Sequence, residues 1–105
     1  MPRKASKETE QRLVHPGEIL LEDLMKPLQI SINQLARDLR VPVNRVSEIV
    51  NGQRGITADT ALRLGRYFGN TPQFWMNLQA SFDLRVAMRE SSRQIDRDVH
   101  PRDAA

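Results

Sequence analysis

Residues 31–52, SINQLARDLRVPVNRVSEIVNG, constrain the fold of this chain more than any other stretch, because two helices and the turn between them must fit inside it. Ser31 offers a hydroxyl that can cap a helix start, with Gln34 three residues on to reach back and Ile30 able to staple onto Leu35. Leu35, Ala36 and Leu39 fall on one side of that helix, and RVP follows at once as a turn. Pro42 suits the first turn of the next helix, where its missing N–H costs no bond and its fixed φ is already helical. Val46, Ile49 and Val50 make the second apolar side, and Asn51-Gly52 tolerate a left-handed terminus. Ala36 is the small residue at which helices joined this closely can cross, since a larger side chain would force their axes apart.

Elsewhere apolar residues recur at helical spacing and never alternate over a strand's length, so five helices and no strand are expected. In HPGEILLEDLMKPL, Pro16 and Glu18 fit a first turn, Leu20, Leu21, Leu24 and Met25 form a stripe, and Pro27 is expected to stop the helix. A fourth helix is capped by Thr57, has Asp59 in its first turn, presents Ala61, Leu64 and Phe68, and ends at Gly69. A fifth starts from Thr71-Pro72 and places Phe74, Trp75, Leu78, Phe82 and Val86 on one broad stripe, with Leu84 and Met88 off it. At 105 residues one core is expected, in a domain over 13–90 between a flexible basic arm at 1–12 and a polar tail at 91–105. With 39% hydrophobic residues and few aromatics that core should be small and aliphatic, and association would supplement it.

The absence of cysteine removes disulfides and thiolate chemistry, and no apolar run nears the roughly 18 residues of a membrane span. A soluble, cytoplasmic chain without membrane contact is expected. His15 and His100 are far apart, and no nucleophile-base pair or phosphate loop accompanies them, so no catalytic residue, metal or cofactor is assigned. The net charge of +3 permits a polyanionic partner, but its distribution says more. Arg37, Arg40, Arg45 and Arg54 face only Asp38 and Glu48 in the middle of the chain, whereas Glu18, Glu22 and Asp23 make the first helix acidic.

The 31–52 segment matches the helix-turn-helix of DNA-binding repressors, which makes the whole an all-α, compact five-helix bundle of the lambda-repressor-like type with that motif at helices 2 and 3. If its second helix is the reader, Val43, Asn44 and Arg45 lie closest to base edges, with Glu48 a turn further on. Asparagine can pair with adenine, arginine with guanine and glutamate with a cytosine amino group, while valine can meet a thymine methyl. Ser31, Gln34, Arg37, Asn51 and Arg54 are candidates for the sugar-phosphate backbone, where contacts position without specifying. The bland rival is a solvated arginine surface, and Glu48 could equally bond a neighbouring arginine.

The chain from His15 to Leu84 resembles the HigA family of antitoxins, within the XRE/Cro class of repressors. HPGEIL at 15–20, LARDLRVPVNRVSEIVNGQRGITADTALRLGRYFG at 35–69 and WMNLQASFDL at 75–84 carry the resemblance. It implies a dimeric antitoxin that represses its own operon by binding double-stranded operator DNA and neutralises a cognate HigB-like mRNA endonuclease toxin. One departure is Arg40, at a turn position where such motifs usually have glycine because φ is positive. A stand-alone repressor of the same class shares every DNA-binding feature, and a pure protein-interaction module or an enzyme is a more distant alternative.

A homodimer is expected because one short helix reads few base pairs and a twofold axis supplies a second half-site. Trp75, Leu84 and Met88 are the candidate dimer contacts, with Phe74, Leu78 and Phe82 assigned to the core. A basic ribonuclease would be steered toward Glu18, Glu22 and Asp23, which makes them candidate toxin contacts beside the arm before His15.

Overall fold

The computed structural model describes residues 12–103, so the expected arm at 1–12 lies outside the described residues except for Arg12. Five helices follow in order, and no strand occurs among the described residues. The first, α1, covers 16–28 in three pieces: an α turn at Pro16–Ile19, a π-helical stretch at Leu20–Met25 and a last turn at Lys26–Leu28. His15 starts it, its Nδ1 accepting the Gly17 N–H at 2.8 Å. Pro27 does not stop this helix. It has no N–H for the Asp23 carbonyl, and the widened turn before it, in which the Lys26 N–H bonds the Leu21 carbonyl five residues back, gives its ring room. Gln29, left-handed at φ 57°, ends the helix.

Helix α2 spans Ile32–Leu39, α3 Val43–Val50, α4 Ala58–Phe68 and α5 Pro72–Asp98. Ser31, Thr57 and Thr71 cap α2, α4 and α5 with their hydroxyl oxygens, as their positions predict. Gly69 takes φ 79° after α4, and Gly52 takes φ 76° after α3. The inward residues close one core of Leu20, Met25, Leu35, Ala36, Leu39, Val46, Ile49, Ile56, Ala61, Leu64 and Trp75. Each large aliphatic side chain buried there contributes about 1.5–3 kcal/mol of transfer free energy. At the N-terminus of α1 the packing leaves no room for a side chain, since a Cβ on Gly17 would fall on the Ile49 carbonyl oxygen at the end of α3. The first and third helices are locked backbone to backbone.

Two expectations for α5 are corrected. Trp75 has no exposed surface and its Nε1 donates to Asn70 Oδ1 at 2.9 Å, so it is the core's largest side chain and has nothing to offer a dimer partner. Phe74, assigned to the core, is 40% exposed at the edge of the Trp75 ring. Helix α5 also runs on into the polar tail expected from residue 91, continuing to Asp98 before Val99 turns extended. No proline or glycine interrupts SSRQID, and Pro101 lies just beyond the end. The far half of α5 projects from the bundle, giving extents of 54 × 37 × 22 Å and a radius of gyration of 17.0 Å. A compact domain of this length would have a radius near 13 Å.

Candidate nucleic-acid interface

The turn between α2 and α3 is made by Arg40, left-handed at φ 61° and ψ 48°. Its N–H bonds the Arg37 carbonyl at 3.2 Å and the Val41 N–H bonds that of Ala36 at 3.0 Å, so α2 closes and the chain reverses within three residues. Ala36, 1% exposed, sits where α2 meets α3. Val46 and Ile49 bury one side of α3, which leaves the opposite side of its first turn at the surface. Pro42 provides no side-chain cap to α3; the Arg45 N–H bonds the Pro42 carbonyl at 3.0 Å, which leaves the Val43 and Asn44 N–H groups as the ones a helix start does not satisfy internally. These are the elements of a reading helix: a backed short rod, an uncapped positive end and polar side chains around it.

Val43 and Asn44 are exposed beside that end. Arg45 is held rather than free: its Nη1 donates to Asp59 Oδ2 at 2.8 Å across the gap to α4. Glu48 is likewise engaged, accepting from Arg54 at 2.7–2.8 Å, so one candidate base contact and one candidate phosphate contact neutralise each other. Ser31, Gln34, Arg37 and Asn51 are exposed, Asn51 at the far end of α3, and the Ser31 oxygen already accepts the Gln34 N–H at 3.0 Å.

Several residues without a role in the sequence reading shape this surface. Arg63 on α4 donates to the carbonyl oxygens of Leu39 and Arg40 at 2.9 and 3.5 Å, and its Nε bonds Asp59 at 2.9 Å. The two arginines, Arg63 first and Arg45 second, hold the Asp59 carboxyl below its ordinary pKa. Tyr67 donates to Asp38 Oδ2 at 2.7 Å, which raises the pKa of the phenol. Gln79 on α5 is buried, accepting the Ile56 N–H at 2.6 Å and donating to Asp83, and so pins the loop after α3. A polar residue four positions after Trp75 and four before Asp83, on an otherwise apolar stripe, was the available signal for it. Asp59 and Arg63 form an i,i+4 pair, which hinted at a bond within α4 but not at the bond to α3.

On α1, Glu18 pairs with Arg12 and Glu22 with Lys26, while Asp23 is exposed. Its hydrogen bonds with Arg12 hold the Glu18 carboxyl low. No helix among the described residues is long and apolar enough to cross a membrane, and no group of three or more of their histidine, aspartate and glutamate side chains is placed to hold a metal ion.

This arrangement defines a helix-turn-helix protein, and a model of the helix-turn-helix family matches residues 21–75. The chain is 53% identical over 77 residues to virulence-associated protein I of Dichelobacter nodosus, covering 73% of this chain and 71% of that one. It is 38% identical over 78 residues to antitoxin HigA-1 of Vibrio cholerae, covering 74% and 73%. Among solved structures, the Pseudomonas aeruginosa antitoxin HigA with the higBA promoter matches with a TM-score of 0.84 and 47% identity over 86% of this chain and 98% of that one. The chain belongs to the HigA antitoxin family of helix-turn-helix proteins.

Proposed function

We propose that the protein is the antitoxin of a type II toxin-antitoxin system, acting by binding and not by catalysis. As a dimer it binds operator DNA and represses its own operon, and it neutralises a HigB-like mRNA endonuclease in the cytoplasm. The observation that carries the DNA half is the exposed, uncapped first turn of α3, backed by Val46 and Ile49, in a chain 47% identical to a HigA solved with its promoter. Val43, Asn44 and Arg45 would face base edges, with Glu48 reaching them only after leaving Arg54. Ser31, Gln34, Arg37, Asn51 and Arg54 would hold the backbone on either side.

With Trp75 buried, the dimer contacts would come from the exposed apolar residues of α5. Leu84, Met88 and Ile95 lie on one face of α5, and Val99 follows its end, each at least half exposed. An apolar face of this length, exposed among the described residues, fits a second copy related by a twofold axis. For the toxin, Glu18, Glu22 and Asp23 remain the candidate contacts for a basic RNA-binding partner, although Glu18 and Glu22 would first have to leave Arg12 and Lys26.

Coexpression tests the toxin half and DNA titration the repressor half. The protein is expected to restore growth of cells expressing the toxin encoded beside its gene. It should also bind the DNA upstream of that gene with log K falling by about 0.9 for each phosphate neutralised per unit of log[salt]. Binding without rescue would leave a stand-alone repressor; rescue without binding would remove the autoregulatory role.

A further inference from the structure

Asp59 opens α4, yet its carboxylate serves the neighbouring helix. Its Oδ2 accepts from Arg45 Nη1 on α3 at 2.8 Å and from Arg63 Nε at 2.9 Å, and Arg63 in turn holds the carbonyls of Leu39 and Arg40 in the turn. One charged group therefore ties an arginine of the reading helix to the turn that sets the helix's tilt. We propose that Asp59 is a specificity-determining positioning residue, which fixes the guanidinium of Arg45 for a base edge and keeps it from settling on backbone phosphate. This rests on the DNA-reading function above.

Phosphate and base edge compete for the Arg45 guanidinium. Phosphate oxygens recur at every step of a duplex and carry no sequence information, so an unrestrained arginine gains as much from wrong DNA as from right. Arg45 already has one Nη engaged, and its side chain is 28% exposed, so its rotamer is largely set before DNA arrives and less freedom is lost on docking. Its other N–H groups remain for a guanine edge. The adjacent negative charge also opposes phosphate. Asp59 thus weakens binding to every duplex somewhat, and to wrong duplexes more.

The test compares full-length wild type and Asp59→Asn on two duplexes of equal length: the strongest binder that wild type enriches from a randomised pool, and its scrambled counterpart. Because Asp59 is 56% exposed, asparagine is accommodated there. Asp59→Asn should bind the scrambled duplex more tightly, with a salt slope steeper by about 0.9, one further phosphate. The preference for the enriched duplex should fall about tenfold, a typical value for one base contact. Asp59→Glu should recover most of that preference, and in an Arg45→Ala background Asp59→Asn should leave it unchanged. Equal changes on both duplexes with an unchanged slope, or the same loss of preference without Arg45, would overturn the proposal. Wild type enriching no duplex would remove the DNA-reading function itself and this proposal with it.

Discussion

His15 joins three interactions in one residue. Its Nδ1 accepts the Gly17 N–H, its ring meets Phe82 edge-on at 4.9 Å, and it stands where α1 touches the end of α3. Protonation would turn the cap's acceptor into a donor. Burial lowers its pKa from the ordinary 6.5, with Asp83 opposing, so the fold favours the neutral ring. Just below pH 6.5 the unfolded chain therefore binds more protons than the folded one. The stabilisation is complete above 6.5 and is lost as the pH falls through the folded-state value. His15→Asn, which can cap without titrating, should flatten that part of the stability-pH curve in denaturant melts; an unchanged curve would place the pH dependence on other groups. Arg40 illustrates a different residue-scale cost. A non-glycine residue at φ 61° is strained by roughly 1–2 kcal/mol, and the Arg63 contacts with the adjoining carbonyls hold it there.

At the scale of elements, the loop after α3 depends on α5. Gln79→Leu removes the acceptor of the buried Ile56 N–H and should cost about 1–3 kcal/mol in chemical denaturation. It should also speed hydrogen exchange at Ile56; wild-type exchange there would mean that the loop holds itself. This link spans 23 residues in sequence and the Arg45–Asp59 bond spans 14, which explains what could be read in advance. Caps at Ser31, Thr57 and Thr71 are local, and the apolar spacing of α2 to α4 is periodic, so the five helices and most of the core were legible. Periodicity could not decide whether Trp75 was buried or offered to a partner, because both demand the same residue type at the same spacing. The helix through 91–98 had no apolar stripe to announce it. The surface of α3 was legible as a face, whereas the engagement of Arg45 by Asp59 and of Glu48 by Arg54 depended on tertiary placement.

At the scale of the molecule, a bundle with a long projecting helix is an incomplete object. Leu84 at 62% and Met88 at 58% exposure are left largely uncovered by the described residues. Replacing both by aspartate should shift the protein from dimer to monomer in light scattering while leaving its helical circular dichroism intact. A dimer that persists would move the interface elsewhere. Dimerisation matters here because two copies of α3 about one helical turn of DNA apart are what would turn a short rod into a selective reader. The most direct measurement of that reading is a comparison of Asn44→Ala with wild type on an enriched duplex and its single-base-pair variants. Discrimination should fall by about 1–3 kcal/mol at one symmetry-related position in each half-site, with the salt slope unchanged. An equal loss on every variant, or none on any, would contradict the placement of α3 against base edges.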